Sequence, residues 1–312
     1  MRSRSALIPI CVTLAGLASF SIMDGVMKAA SIAVGAYAAL FWRNVFGLGL
    51  MTPVWLVARR RARNKKGRAR FPTWHVLGLH LGRAALCGVM AGLFFWGTIY
   101  TPLAEAMALS FISPLIALVL AAVFLGERIA RRAFAGSVLA LIGVGVIAAG
   151  TIGGAPNLHA IYGMIAILTS AVLYAANLVV QRRQAQLAGP IEIAFFQNLF
   201  IALLFAPGAW WLAPVPHGAA MGLIGVGAAL AVVSLMQIGW AYARAEAQVL
   251  VPLEYTAFIW ACLVGWMMFG EAVTMRTLGG VVLIVGGCLL AIATRTAPGD
   301  IETPIRGQPN PA

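Results

Sequence analysis

Charge is what this sequence has least of. Asp, Glu, Lys and Arg make up only 10% of its 312 residues, and just nine of those residues are acidic. Soluble domains carry about 25% charged residues, so a soluble enzyme of this length is excluded. Cysteine is scarce too: Cys11, Cys87, Cys262 and Cys288 lie in apolar stretches at no metal-ligand spacing. Neither a disulfide framework nor a metal site is suggested. There is no Gly-Lys-Ser/Thr phosphate loop, and no room is left for an ATPase domain, so direct ATP drive is not expected. No cofactor is expected either. Barrel strands are excluded, because the apolar stretches run on without a two-residue alternation.

What fills the chain is hydrophobic residues, 62% of the total. One membrane-spanning helix takes roughly 20 apolar residues. Ten such stretches can be read, at about 6–28, 34–58, 73–99, 102–125, 132–150, 159–181, 191–213, 219–242, 248–270 and 275–294. Only Thr101-Pro102 separates the third from the fourth, and Pro207 and Pro252 interrupt others. Intramembrane helices tolerate such prolines when neighbours re-satisfy the freed backbone groups. The expected fold class is an all-α membrane protein with ten transmembrane helices.

The net charge of +13 would suggest a polyanion partner in a soluble protein. Its distribution gives a different reading. Alternate loops hold 18 of the 22 Lys and Arg residues, eight of them between Arg59 and Arg70, whereas the other side keeps only Lys28 and Arg276, with Arg43 and Arg83 inside spans. Positive residues gather on the cytoplasmic side, so both termini are expected in the cytoplasm of an inner-membrane protein, with lipid and not nucleic acid as the surrounding partner. Arg2 and Arg4 before an apolar run also suit a secretory signal, but the apolar run continues past any cleavage point.

The two halves echo each other. Phe41-Trp42-Arg43-Asn44-Val45-Phe46 answers to Phe195-Phe196-Gln197-Asn198-Leu199-Phe200, Gly97-Thr98-Ile99-Tyr100 to Gly239-Trp240-Ala241-Tyr242, and Phe124-Leu125-Gly126-Glu127 to Met268-Phe269-Gly270-Glu271. Five spans per half is an odd number, so the halves cross in opposite directions. That is the inverted-repeat architecture of secondary transporters: two inverted five-helix repeats around a central cavity, residues 1–150 and 151–295, then a Pro-rich polar tail, 296–312, expected to be disordered.

The segment from Ala106 to Pro114 followed by Leu125-Gly126-Glu127-Arg128, and Val251-Pro252-Leu253-Glu254-Tyr255-Thr256 followed by Phe269-Gly270-Glu271, resemble the drug/metabolite transporter superfamily. The likeness is to its ten-helix branch of two EamA-type repeats, most closely to bacterial exporters of amino acids, aromatic ones included, and it covers essentially the whole chain. It implies a basket of ten helices, export of metabolites across the inner membrane, and alternating access by rocking of helix groups. It is specific for the superfamily and weak for substrate.

A polar group inside a span is costly unless it is paired or faces water, so each is a functional candidate. His80, Arg83 and Cys87 follow i, i+3, i+7 spacing and share one helix face. Arg83 offers a planar donor fork for a substrate carboxylate, or pairs with another helix or snorkels. His80 offers a proton-coupling site or a satisfied structural histidine. Asp24 and Lys28 at i, i+4 read as a helix-surface pair, and Asn177 repeats the Asp24 position in the second half, which places both as cavity-lining or structural groups. Arg43-Asn44 and Gln197-Asn198 read as helix-to-helix hydrogen bonders. Glu254, beside Tyr255 and after Pro252, is the acidic candidate for a substrate ammonium or a proton, while Glu127 and Glu271 read as structural ties at helix ends. Trp96, Tyr100, Tyr174, Gln237, Trp240 and Tyr242 complete the candidate substrate site. An aromatic-lined pocket with few polar anchors suits a small amphipathic solute.

The expected function is secondary export of amino acids, aromatic or large neutral ones foremost, or of related metabolites, with protons as a candidate coupling ion. The alternatives are a carrier of drugs, cofactors or nucleobases on the same fold, and an intramembrane lipid-acting enzyme. The last lacks a nucleophile with its base.

Overall fold

A computed structural model describes residues 3–66, 71–116, 131–152, 158–244, 250 and 253–292. Glu127, Arg128, Pro252 and the tail 296–312 lie outside the described residues. Among those described there are helices and no strand. In chain order they are α1 (Ser3–Val34), α2 (Ala36–Lys66), α3 (Trp74–Tyr100), α4 (Leu103–Ser110), α5 (Arg131–Ile152), α6 (Leu158–Leu187), α7 (Pro190–Leu212), α8 (Ala219–Tyr242), α9 (Ala257–Phe269) and α10 (Met275–Ile292). Each sequence-predicted span overlaps one of them. Six, α1 to α3 and α6 to α8, are long and apolar enough to cross a membrane, and the other four are shorter apolar helices.

Local chemistry sets the ends. Gly35, at φ +84°, is the single residue between α1 and α2, a left-handed position that side chains resist. Gly270, at φ +65°, closes α9 in the same way. Thr73 caps α3, its Oγ1 accepting from Val76 N at 3.5 Å, and Pro190 opens α7, where its missing N–H costs nothing. Trp74 at the end carrying the basic loop, and Trp210 and Trp211 at the opposite end, are largely exposed, as expected of interfacial aromatic belts.

The helix pairing shows how the halves assemble. The most extensive contacts are α5 with α10, α1 with α8, α3 with α6 and α2 with α7, and α4 meets α9. If α1–α5 correspond to α6–α10, then α1·α8 and α3·α6 are mates of each other, and the remaining three pairs each join a helix to its own counterpart. A two-fold axis relating the repeats produces that pattern. The chain is thus a helical membrane protein of two five-helix repeats.

Close backbone approach makes some of these pairs possible. A Cβ built on Gly97 would stand 2.7 Å from Gly163 O on α6, and one on Gly163 would stand 3.0 Å from Gly97 O. Small residues allow this approach between membrane helices. Gly97→Val is therefore expected to lower the thermal midpoint in detergent by several degrees, in keeping with about 1–3 kcal/mol for overpacking. Gly82→Val on the same helix, with nothing near its Cβ position, is expected to leave it unchanged. Equal midpoints for the two variants would refute the tight α3·α6 contact.

Candidate functional site

One face of α3 carries His80, Arg83 and Cys87 toward α6 and α7. Arg83 is 7% exposed. Its Nε donates to Asn177 Oδ1 at 3.0 Å, and its Nη1 donates to Gln184 Oε1 at 2.8 Å and to Gln197 Oε1 at 3.0 Å. Cys87 Sγ donates to the same Asn177 oxygen at 3.2 Å. The guanidinium orients the Gln184 amide, because only its carbonyl can accept from Arg83. The Gln184 Nε2 then donates to His80 Nδ1 at 2.6 Å. The neutral ring accordingly carries its proton on Nε2, which faces Glu192 Oε1 at 3.4 Å. Phe196 stacks on the imidazole with centroids 4.9 Å apart.

All three groups holding Arg83 are neutral amides. Among the described residues no carboxylate lies within salt-bridge distance of it. Placing Arg at mid-membrane costs about 2.5–3.5 kcal/mol on insertion scales, while hydrogen bonds to a charged group return about 1.5–3 kcal/mol each. The amides can therefore fix the guanidinium in position without neutralising it. Its positive charge remains available to a ligand.

A carboxylate stands on another wall. Tyr242 at the end of α8 donates its phenol to Glu254 Oε1. Tyr174 on α6 lies within electrostatic reach of Glu254 on one side and of Cys87 and Arg83 on the other. It sits deep among the helices, yet 42% of its surface is accessible, and Glu254 is exposed as well. Tyr174 thus has accessible surface between the Arg83 network and Glu254. Asp24 on α1 is 3% exposed, and among the described residues its Oδ2 has no hydrogen-bond partner. Arg43 of α2 is within electrostatic reach of both Asp24 and Cys87, its guanidinium 5.5 Å from the Phe95 ring centroid.

The structure thus brings His80, Arg83 and Asn177 into one network, with Tyr174 reaching from it toward the Tyr242–Glu254 pair. Others lie elsewhere. Trp96 and Tyr100 are at the far end of α3, in edge contact with each other at 5.3 Å; Tyr100 is 17 residues beyond Arg83, about 26 Å along the helix. Gln237 accepts from Ser19 Oγ at 3.3 Å between α8 and α1. Trp240 lies 4.1 Å beneath the Arg244 guanidinium. Tyr255 meets Phe111 edge-on at 5.2 Å and packs against the core formed by α4, α5, α9 and α10.

Two expectations need correction. Asp24 and Lys28 do not form a helix-surface pair: both are buried, and Lys28 Nζ pairs with Glu271 and donates to Thr101 O at 2.9 Å. Glu271 is a better partner because Leu103 N, donating at 2.7 Å to its other oxygen, already fixes it. Asn44 and Asn198 do not bridge helices either; each Nδ2 donates to the carbonyl four residues earlier in its own helix. Gln184 and Glu192 escaped the sequence reading because they sit beside Arg182-Arg183 and Pro190, where the pattern reads as loop. The available signal was spacing, since Gln184 is seven residues after Asn177 and shares its face. Among the described residues, no group of three His, Cys, Asp or Glu is placed to hold a metal ion.

Comparison with known proteins agrees with this architecture. The pseudopaline exporter CntI of Pseudomonas aeruginosa is 27% identical over 289 residues, covering 91% of this chain and 96% of its own length. A riboflavin transporter of Brucella anthropi is 25% identical, covering 80% and 85%. A probable terminal-alkyne amino-acid exporter of Streptantibioticus cattleyicolor is 28% identical, covering 66% and 71%. A crystal structure with 22% identity superposes with a TM-score of 0.61 over 96% of this chain and 100% of its own, which supports the fold alone. The EamA-like transporter family model matches twice, over residues 7–149 and 161–293. With both repeats matched across most of its length, this multi-pass membrane protein belongs to the EamA-like transporter family.

Proposed function

We propose that the protein exports amino acids, large neutral or aromatic ones foremost, or closely related small metabolites, across the inner membrane by alternating access. The observation that carries this reading is Arg83, a buried guanidinium whose hydrogen-bond partners among the described residues are the amides of Asn177, Gln184 and Gln197. With Nε and Nη1 committed to these amides, Nη2 is left to donate to a substrate carboxylate in a charge-assisted hydrogen bond. Glu254, oriented by Tyr242, takes the ammonium, and Tyr174 supplies an aromatic wall. The relative named as an amino-acid exporter supports the same class. Both termini lie in the cytoplasm, following the 18 basic residues on one side, and the halves 1–150 and 151–295 exchange conformations as helix groups rock. Protons entering through the acidic wall are the coupling ion.

The test is flux of radiolabelled leucine and phenylalanine in proteoliposomes, with and without a pH gradient. Accumulation that grows with the gradient is expected. Failure to move any amino acid under either condition would sink the substrate claim. Transport of riboflavin with no amino-acid flux would replace it with a cofactor carrier, in line with the riboflavin transporters among the relatives.

A further inference from the structure

The end of the bundle opposite the basic loop is almost free of positive charge. Lys28 and Arg276 are the basic residues there, and Lys28 is committed to Glu271. Arg276, at the start of α10, is exposed, and among the described residues no carboxylate lies within salt-bridge distance of it. Positive residues are selected against on the side away from the cytoplasm, so topology gives no reason for this one.

Arg276 borders a pocket of about 510 Å³ between the two repeats, with Tyr100, Thr101, Glu105, Gly150 and Thr277 in its walls. Its polar groups fall into two sets. On one wall, Thr274 caps α10: its Oγ1 accepts from Thr277 N at 3.1 Å and its carbonyl from Leu278 N at 3.0 Å. That leaves the Met275 and Arg276 N–H groups at a positive helix end beside the Arg276 guanidinium, a combination that attracts a carboxylate. On the other wall is Glu105, whose Oε1 accepts from Thr277 Oγ1 at 3.0 Å. Thr101 completes that wall. A carboxylate on the wall of a pocket is a place for an ammonium group. The volume lies within the range of small-ligand sites.

We propose that this pocket is a second binding site for a small zwitterion, an α-amino acid, with the carboxylate at Arg276 and the α10 N-terminus and the ammonium at Glu105. The inference rests on the reading that amino acids are the cargo. It adds an exit station: cargo released from Arg83 is received at this end before it leaves. Thr101 ties the pocket wall to the helix bundle, its carbonyl accepting from Lys28.

The experiment is equilibrium binding of radiolabelled leucine and phenylalanine to the full chain in phosphatidylcholine nanodiscs, in an Arg83→Gln background that removes the inner anchor. Saturable binding is expected to persist there. It is expected to weaken by at least about tenfold on adding Arg276→Gln or Glu105→Gln, as loss of one charge-assisted contact implies. Gly150→Leu, whose side chain would grow toward Arg276 Cδ from a Cβ 3.5 Å away, is expected to block it sterically. Arg276 is exposed, so its replacement leaves the fold intact and keeps the result readable. Loss of all saturable binding in Arg83→Gln alone, or binding indifferent to Arg276→Gln and Gly150→Leu, overturns the second site while the inner site stands. Displacement of the amino acid by phosphatidylethanolamine in the nanodisc also overturns it, and makes the pocket a lipid headgroup site. No binding or flux of any amino acid by the unmodified protein removes the cargo reading itself.

Discussion

Arg83→Gln is expected to reduce transport by more than about 100-fold while leaving the protein folded, because removing a charged partner from a desolvated site costs about 2–5 kcal/mol of binding. The amides of Asn177, Gln184 and Gln197 are neutral, so glutamine leaves no buried carboxylate stranded. Its own amide donates to part of the set, so the stability cost is that of the acceptors left unmet, about 1–3 kcal/mol each. Arg83→Lys is expected to fail nearly as badly. Lysine keeps the charge, but its three donors cannot serve the three amides and still leave one for a ligand, as the guanidinium Nη2 does. Proteoliposome flux together with thermal midpoints checks both statements. Normal flux in Arg83→Gln would remove the guanidinium from substrate binding and leave it as a structural tie between α3, α6 and α7.

The second large effect falls on stability. Lys28 of α1, Thr101 and Leu103 at the α3–α4 junction, and Glu271 between α9 and α10 form one buried knot, with the two charged side chains 4% and 17% exposed. Breaking a buried pair by removing one member costs about 3–5 kcal/mol, because the other is left uncompensated. Lys28→Met is therefore expected to be severely destabilised. Adding Glu271→Gln is expected to recover most of the loss, since a neutral amide still accepts from Leu103 N without a charge to bury. Thermal unfolding of the four proteins gives the cycle. A double variant no more stable than Lys28→Met would show that the knot acts through packing and not through charge.

The membrane environment, the ten apolar helices and the division into two repeats were all legible in the linear sequence. Each follows from a local property: run length against bilayer thickness, alternation of basic loops, and recurrence of short motifs at near-constant offset. Even the two-residue break at Thr101-Pro102 survives as the junction of α3 and α4. The shared face of His80, Arg83 and Cys87 was equally readable, because helical spacing alone places them together.

The partners of those residues were not. Spacing says which face a side chain is on, but it does not say which distant helix meets that face. Only packing placed Asn177, Gln184 and Gln197 around Arg83, moved Lys28 away from its neighbour Asp24 to a glutamate 243 residues along the chain, and carried Tyr100 to a pocket at the far end. The sequence alone determined that this protein spans a bilayer as two like halves, because bilayer insertion is enforced residue by residue along the chain. The tertiary structure decided which polar groups neutralise one another and which keep their charge, because that depends on the contacts made when ten helices pack.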